Sequence, residues 1–600
     1  WHLRRGEFTV AEPCFRKAIQ RLTGRNANPY DGEPYYNLGL CLRHLGRDDE
    51  AYDALYKATW NQSWAGAAYH ALAEIDCARA TWTIALDHLT HALRFNTDNT
   101  RARNLQVMVL RKLGGIHLTE AARLLQQNRA LDPLDWWARY LDSQPLACDL
   151  QTQLDLAHDF ARAGLYAEAV QLLDAGSQAN GKPHLPHAEN GSTLPTLSWG
   201  ASPLTEYTLG WLYEKLNDPV AAKRHFKAAS ELSPDYCFPA RLQEIAILQT
   251  AIQAQPKDPR APYYLGNLFY DRRRHEEAID LWEISARLDP SFSVVWRNLG
   301  IGYFNIRKQP AKARQAYEKA FRSNPTDARL LFERDQLWKR LGVKPVKRLR
   351  ELQKHPAMVQ QRDDLSIELC ALFNQTGSHT QAASIIQSRR FQPWEGGEGG
   401  PLGQHVRSHL ALGRLALAAG DAATARDHFQ TALTAPFNLG EARHLLANQS
   451  DLHFWLGCAL KDLGQAQAAN EQWLAAATAK GDFLEMSVRT FSEMTYYSAL
   501  AWNRLGRKAK AEKIFRDLLA YAKILRRSVA KIDYFATSLP TMLLFDDDLQ
   551  RRQQITAMFL QAQALIGLRR KKQAAALLRS ILQRDPNHAL AADLIKEVTS

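Results

Sequence analysis

The sequence predicts an all-α fold, a right-handed superhelical solenoid of helix hairpins, and three observations carry that expectation. Leu265-Gly266, Phe269, Ala278, Trp282 and Pro290 mark one segment, and Leu299-Gly300 and Tyr303 repeat its opening 34 residues later. The second copy continues through Ala313, Tyr317, Ala320 and Pro325, one residue late because the turn at Gln309-Pro310 is longer. Within each copy the residue types suit two short antiparallel helices. Gly266 and Ala278 lack bulk where the helices approach, Phe269 and Trp282 fill the space to the next copy, and Pro290 cannot continue the helix ending at Leu288-Asp289. One such hairpin cannot bury its apolar face alone, so copies must stack.

A period of 34 with a small residue near position 8, an aromatic near 11, alanines near 20 and 27 and a proline near 32 resembles the tetratricopeptide repeat family. The resemblance implies a protein-interaction scaffold whose first-helix positions 2, 5, 9 and 12 line a groove that contacts a protein partner or an extended peptide. Those positions are Arg260, Tyr263, Asn267 and Tyr270, with Arg297 and Phe304 in the next copy, and Leu204, Tyr207, Trp211 and Glu214 in the preceding strong copy. Spacing of 3, 4 and 3 puts the first four on one helix face, and arginine and aromatic residues are the types enriched at binding hot spots. The family's clamp on chaperone C-termini requires lysine at position 5. Tyr263 stands there, so that mode is not expected although Asn267 and Asn298 fall at two of its asparagine positions.

Composition narrows the class. Hydrophobic content of 46% and charged content of 23% are those of a globular chain, and no run of 18 apolar residues would span a membrane. Residues 1–6 are not followed by the apolar stretch of a signal peptide. Seven cysteines scattered singly without a CxxC pair read as reduced core filler, which favours a cytoplasmic setting. The net charge of +13 is spread over separated clusters, at residues 272–274, 344–350, 526–527 and 569–572. A nucleic-acid surface should instead form a continuous stripe.

Taken in order, the chain opens partway through a repeat, with Gly6 as the turn between helices and Ala11, Phe15 and Ala18 in the second-helix slots, as expected of a fragment of a longer protein. Repeats follow from Gly32 and Gly66, and a degenerate one runs over 100–133. Together they define an N-terminal array over 1–175 with a truncated first repeat. An irregular loop over 176–203 holds five of the chain's prolines and glycines between Gly181 and Pro195, besides Asn190-Gly191-Ser192; loops of this length are usually functional or disordered. A central array occupies 204–390, with a helix over 240–255 and a divergent basic stretch after Pro325. A glycine-rich loop spans 391–405, and a C-terminal array anchored at Leu412-Gly413, Leu456-Gly457, Ala499 and Ala562 fills 406–600, ending in a capping helix over 588–598.

No catalytic constellation is recognised: Walker-type loops, GxSxG and HExxH are absent, and no cofactor or metal is expected. Glu441 with His444, and His405 with His409, are spaced to share a helix face. His184 and His187 lack a third ligand. Trp136-Trp137 and Tyr496-Tyr497 are of the type that stacks on bases or sugars, but in helices of this kind such pairs are more often core. The local anomaly is the glycine-rich loop, where Trp394, Glu395 and Glu398 set two carboxylates beside an aromatic ring, a pattern that glycoside or cation chemistry uses when the acids are buried and held. Residues 394–400 and Phe535-Ala536-Thr537-Ser538-Leu539-Pro540 are similar to the helical C-terminal half of an uncharacterised family with an N-terminal mutarotase-like β-sandwich domain. That resemblance implies the alternative, the helical part of an intracellular carbohydrate-active enzyme whose catalytic domain lies upstream. Such a β-sandwich of the same polypeptide would then be a further partner, with Trp394 expected as a buried anchor.

Overall fold

The computed structural model describes residues 1–28, 30–179, 202–393, 397–484, 487–531 and 544–599. These residues are built from helices, apart from one antiparallel pair of three-residue strands, Asp482–Leu484 and Ser487–Arg489, in which Asp482 faces Arg489. The helices come in hairpins, such as Glu33–His44 with Asp48–Ala58, Arg260–Asp271 with His275–Leu288, and Ser450–Asp462 with Ala466–Thr478.

One backbone device makes the hairpins. At the turn between first and second helix a residue adopts the left-handed conformation, which only glycine enters without a Cβ penalty. Gly46, Gly164, Gly377, Gly420, Gly464 and Gly506 take this place, but Ala80, Asn217, Arg273, Lys308 and Arg569 adopt the same φ of 51–61°. Part of the basic character at residues 272–274 and 569–572 is therefore turn residues. At the degenerate repeat, Gly114 and Gly115 both have positive φ and link Thr100–Leu113 to His117–Leu131.

The small-residue slot closes each hairpin. A Cβ built on Gly210, Gly413 or Gly457 would lie 2.5 Å from the ring of Phe226, Phe429 or Trp473. Gly266 stands in the same relation to Trp282 at 2.6 Å, Gly39 to Leu55 at 2.5 Å, and Gly300 to the ring of Tyr317. Gly567 meets Phe515 likewise, so the slot is used across a hairpin boundary that the sequence pattern did not mark. The large side chains beneath are buried, with Phe226, Phe429 and Tyr317 at zero exposure.

Stacking gives each hairpin an inside and an outside. First helices pack on first helices, as in Glu33–His44 on Gln62–Ala78 and Gly400–Ala418 on Ser450–Asp462 on Met494–Arg504, whereas second helices hardly touch one another. The first helices therefore form the inner, tighter layer and carry the inner face.

Contacts divide the chain into two compact units, Trp1–Val295 and Trp296–Ser600. The division falls inside the helix Ser293–Asn305. The stretches expected as loops, 176–203 and 391–405, do not interrupt the stack, because Tyr166–Ala179 packs on Ser202–Lys215 and His379–Ser388 packs on Gly400–Ala418; residues 176–179 and 400–405 belong to these helices, so the glycine-rich stretch ends earlier than its composition suggests. In the first unit, Arg5 donates to the carbonyl of Arg273 (3.0 Å) and Arg274 to that of Gly6 (3.1 Å), so residues 1–6 lie against a hairpin more than two hundred residues away. In the second, the divergent stretch after Pro325 is helical, with Pro345 and Pro356 each opening a short helix, Pro345–Gln353 and Pro356–Gln361.

Candidate interaction surface

The first helices set the side chains expected to line a groove, and the structure separates them into two kinds. In the first unit, Tyr207 is fully buried and donates to Asp258 Oδ2 at 2.6 Å. Tyr263 is 5% exposed and packs edge-on against Phe292, ring centres 4.8 Å apart. Leu204 is 1% exposed. The expectation that Tyr207 and Tyr263 face an open groove is corrected. Their rings fill the gap between successive hairpins, and Tyr207 is held there by an acid that satisfies its hydroxyl.

The second kind stays half-buried at the inner face. Arg260 stacks over Phe292 (3.6 Å), Asn267 accepts from the Trp282 indole (3.1 Å), and Tyr270 lies on Trp282 and His275 with ring centres 5.1 and 4.6 Å away. Trp211 meets Tyr166 edge-on at 6.0 Å, and Glu214 is exposed. In the second unit, Arg297 grips Glu333 through two nitrogens (2.6 and 2.7 Å) and Phe304 packs edge-on against Phe545 (5.2 Å).

Charged side chains that no local pattern marks run through both interiors. In the first unit, Glu74 is shared by Arg43 and Arg162, and Arg43 also donates to the carbonyl of Arg162 (2.7 Å). Arg162 also pairs with Asp159, which takes Arg101 at 3.2 Å. Burial alone would raise Glu74, but the two guanidiniums overcome it and hold its carboxyl at about 2. In the second unit, Arg348, 1% exposed along its side chain, holds Asp335 at 2.5 Å and Glu368 at 2.6 Å. Glu333 takes Arg297, Arg329 (2.8 Å) and the Tyr317 hydroxyl (3.0 Å).

The second unit's inner face carries a further layer. Residues 585–597, from the last turn through the helix Ala589–Thr599, reach back to inner-layer helices. Asn587 takes Arg348 Nη1 (2.8 Å) and donates to the carbonyl of Val343 (3.2 Å), and the carbonyl of Pro586 accepts from Gln375 (3.3 Å). Asp593 accepts from Arg407 Nη2 (3.1 Å) and Glu597 pairs with Arg414 Nη2 (2.5 Å). Beside this stretch a cavity of about 480 Å³ is lined by Phe304, Lys339, Arg340, Asp547, Arg551 and Asn587, among others.

The glycine-rich loop is pinned at both described ends. Phe391, 1% exposed, donates its N–H to Asn438 O (2.8 Å), and the Asn438 amide returns to the carbonyls of Ile386 and Arg389. Glu441 accepts the N–H groups of Gly399 and Leu402, both at 2.7 Å, and so caps the helix Gly400–Ala418 where its dipole is positive. Glu398 is exposed. Trp394, Glu395 and the segment 535–540 lie outside the described residues, as do residues 180–201, with His184 and His187.

Glu441 and His444 share no helix, since residues 441–449 are irregular. The intervening segment has been drawn out to cap the neighbouring helix instead. His405 and His409 do share a face, and His409 Nδ1 meets His428 Nδ1 at 3.1 Å. Among the described residues no group of three or more His, Cys, Asp or Glu is arranged to hold a metal ion. Trp137 is core, packed edge-on against Phe160 at 5.0 Å. Cys41, Cys77, Cys237, Cys370 and Cys458 are buried and unbridged, and burial pushes Cys77, Cys237 and Cys370 up to about 12, which makes them inert thiols. No helix among the described residues is long and apolar enough to cross a membrane.

Against known proteins, tetratricopeptide repeat family models match residues 2–68 and 245–291, 207–236, and 556–588. The BBSome complex member bbs-4 of Caenorhabditis elegans is 25% identical over 136 residues, which are 21% of this chain and 29% of that protein. Among solved structures, yeast Tom70 aligns at 11% identity over 92% of this chain and 98% of its own, with a TM-score of 0.23. YrrB, described as a TPR protein with an unusual peptide-binding site, aligns at 17% identity over 40% of this chain and 94% of its own, with a TM-score of 0.16. The matched segments fall in both compact units, so each unit contains at least one stretch similar to a tetratricopeptide repeat.

Proposed function

We propose that the chain is a protein-interaction scaffold that takes a protein or extended peptide along the inner face of its stacked first helices. The observation that carries this is the half-buried set Trp211, Arg260, Asn267 and Tyr270 in the first unit. Each is steadied by a neighbouring ring or indole, yet each keeps exposed surface on the inner layer. Side chains fixed before binding lose little rotamer entropy on contact, which is what makes rigid aromatic, amide and arginine groups effective anchors. Membership of bbs-4 in a complex supports a partner of this class.

Peptide display against the full chain tests it. Selected peptides should bind the wild type and lose at least about tenfold in affinity to Asn267→Ala with Tyr270→Ala, since two contacts of about 1 kcal/mol each are removed. Peptides that bind the folded double variant as tightly as the wild type would remove this face from the assignment.

A further inference from the structure

The helix Ala589–Thr599 bears two carboxylates, Asp593 and Glu597, one turn apart and so on one face. Its other side is apolar. Ala591 and Leu594 are buried, and Ile595 and Val598 pack with them on Ile555, Met558, Phe559 and Leu578. The acids are half-buried. They meet Arg407 and Arg414 on the helix Gly400–Ala418, 186 residues away in the case of Asp593.

The two arginines occupy informative places. With Leu412-Gly413 at positions 7 and 8 of the repeat, Arg407 stands at position 2 and Arg414 at position 9, both groove positions. Arg414 also lies over the Trp455 ring, 4.8 Å from its centre. Tyr496 and Tyr497 sit close enough to Glu597 and Arg414 to feel both charges. Glu597 is partly exposed, and the burial of the rest of it raises its carboxyl against the pull of Arg414. A half-buried arginine between an indole and an acid is what a binding site for a carboxylate looks like.

We propose that this wall of the second unit is a receptor for an acidic amphipathic helix of a partner protein, and that residues 585–597 are its intramolecular occupant. The reading rests on the scaffold proposal and names the partner's chemistry: a helix with carboxylates at i and i+4 and an apolar flank. An 11-residue helix is not stable alone in water, so the occupant is held by its contacts. Besides the bonds of Pro586 and Asn587 to Gln375, Arg348 and Val343, the helix itself is held by two partly exposed ion pairs and a short apolar face, contacts that a competing helix can displace.

Fluorescence anisotropy with a labelled synthetic peptide of residues 586–600 tests the proposal on the full chain. Asp593→Lys with Glu597→Lys should free the occupant, seen as faster amide exchange over 589–599, and raise peptide affinity about tenfold over wild type. Adding Arg407→Gln and Arg414→Gln to that chain should abolish the gain. Exchanging the charges, with acids at 407 and 414 and arginines at 593 and 597, should restore slow exchange and exclude the peptide, which also shows that the altered chains fold. Three results would overturn the proposal: a freed chain that ignores the peptide, which leaves the helix a structural cap; unchanged exchange in the lysine variant; or dimers by light scattering, which make a second copy the occupant. In each case the display peptides that depend on Asn267 and Tyr270 still report on the scaffold reading separately.

Discussion

Glu244 shows how one buried side chain can serve a fold and weaken it. Its Oε2 accepts the N–H groups of Ala240 (2.6 Å) and Arg241 (2.7 Å), capping the helix Gln243–Ala254, while Oε1 is buried without a hydrogen-bond partner. Burial, opposed by those two bonds, pushes its carboxyl from 4.5 up to about 7. A folded-state value above the unfolded one means that the folded protein holds its proton longer, so stability is lost as pH rises from 4.5 through 7. A shift of that size costs on the order of 3 kcal/mol once the group is ionised. Glu244→Gln keeps an acceptor for both N–H groups and cannot ionise. Allowing for the weaker neutral hydrogen bonds, it should stabilise the protein by about 1–2 kcal/mol at pH 8 and by nothing at pH 4, as read by urea denaturation. The sequence did not mark this residue. A glutamate two residues inside a helix looks like any solvated charge, and only the path of residues 237–241 over it makes it buried.

At the scale of elements, the hairpin was legible because its constraints are local. Leu265-Gly266 with Trp282, and Leu299-Gly300 with Tyr317, lie within one repeat, so a fixed spacing reports the close approach. Gly300→Leu should force the Tyr317 ring and the two helices apart and cost a few kcal/mol, about 3 or more, seen as a lower Tm. The turn residue was less legible. A left-handed residue is required, yet the chain uses alanine at 80, with φ of 57°, where glycine would be unstrained. Ala80→Gly should therefore stabilise by about 0.5–1 kcal/mol despite glycine's greater unfolded-state entropy, because the relief of left-handed strain is the larger effect here. A lower denaturation midpoint for that variant would show that the turn carries no strain. What stayed hidden were contacts between elements far apart. Arg43 with Glu74 spans 31 residues and Arg162 with Glu74 spans 88, so no periodicity reveals them. The groove assignment failed at Tyr207 and Tyr263 for the same reason: a helix-face pattern cannot tell a side chain lining a channel from one sealed by the next hairpin.

Within each unit, such contacts tie hairpins that an ideal solenoid would leave independent, since repeats ordinarily touch only their neighbours. In the first unit the ties run through Glu74 and its arginines, with histidines around them. His158, 3% exposed, is lowered from 6.5 to about 4, first by burial and then by Arg162 and Arg241 against the opposing pull of Asp155. His44, partly exposed but stacked on Phe8 with ring centres 4.3 Å apart, is lowered to about 4 by the desolvation of its crowded surroundings and by Arg43 and Arg162. Both values lie below the unfolded value, so the unfolded chain takes up protons first. Their contribution is complete above pH 6.5 and is lost as pH falls from 6.5 to 4. Glu74, held at about 2 against an ordinary 4.5, behaves as a depressed acid, and its contribution survives to pH 4.5 and disappears only between 4.5 and 2. Acid denaturation of the first unit should thus come in two stages, histidines before the central carboxylate. His158→Gln should remove one proton from the slope of stability against pH between 6.5 and 4 and leave the later stage in place. Glu74→Gln should do the reverse, costing about 3 kcal/mol at pH 7 because two guanidiniums lose their shared charge, while flattening the profile below pH 4.5. Urea titrations at closely spaced pH values, followed by tryptophan fluorescence, separate the two. A wild-type slope in the His158 variant would mean that this histidine is already charged in the folded protein, and that the interior of the unit is wetter than its burial implies.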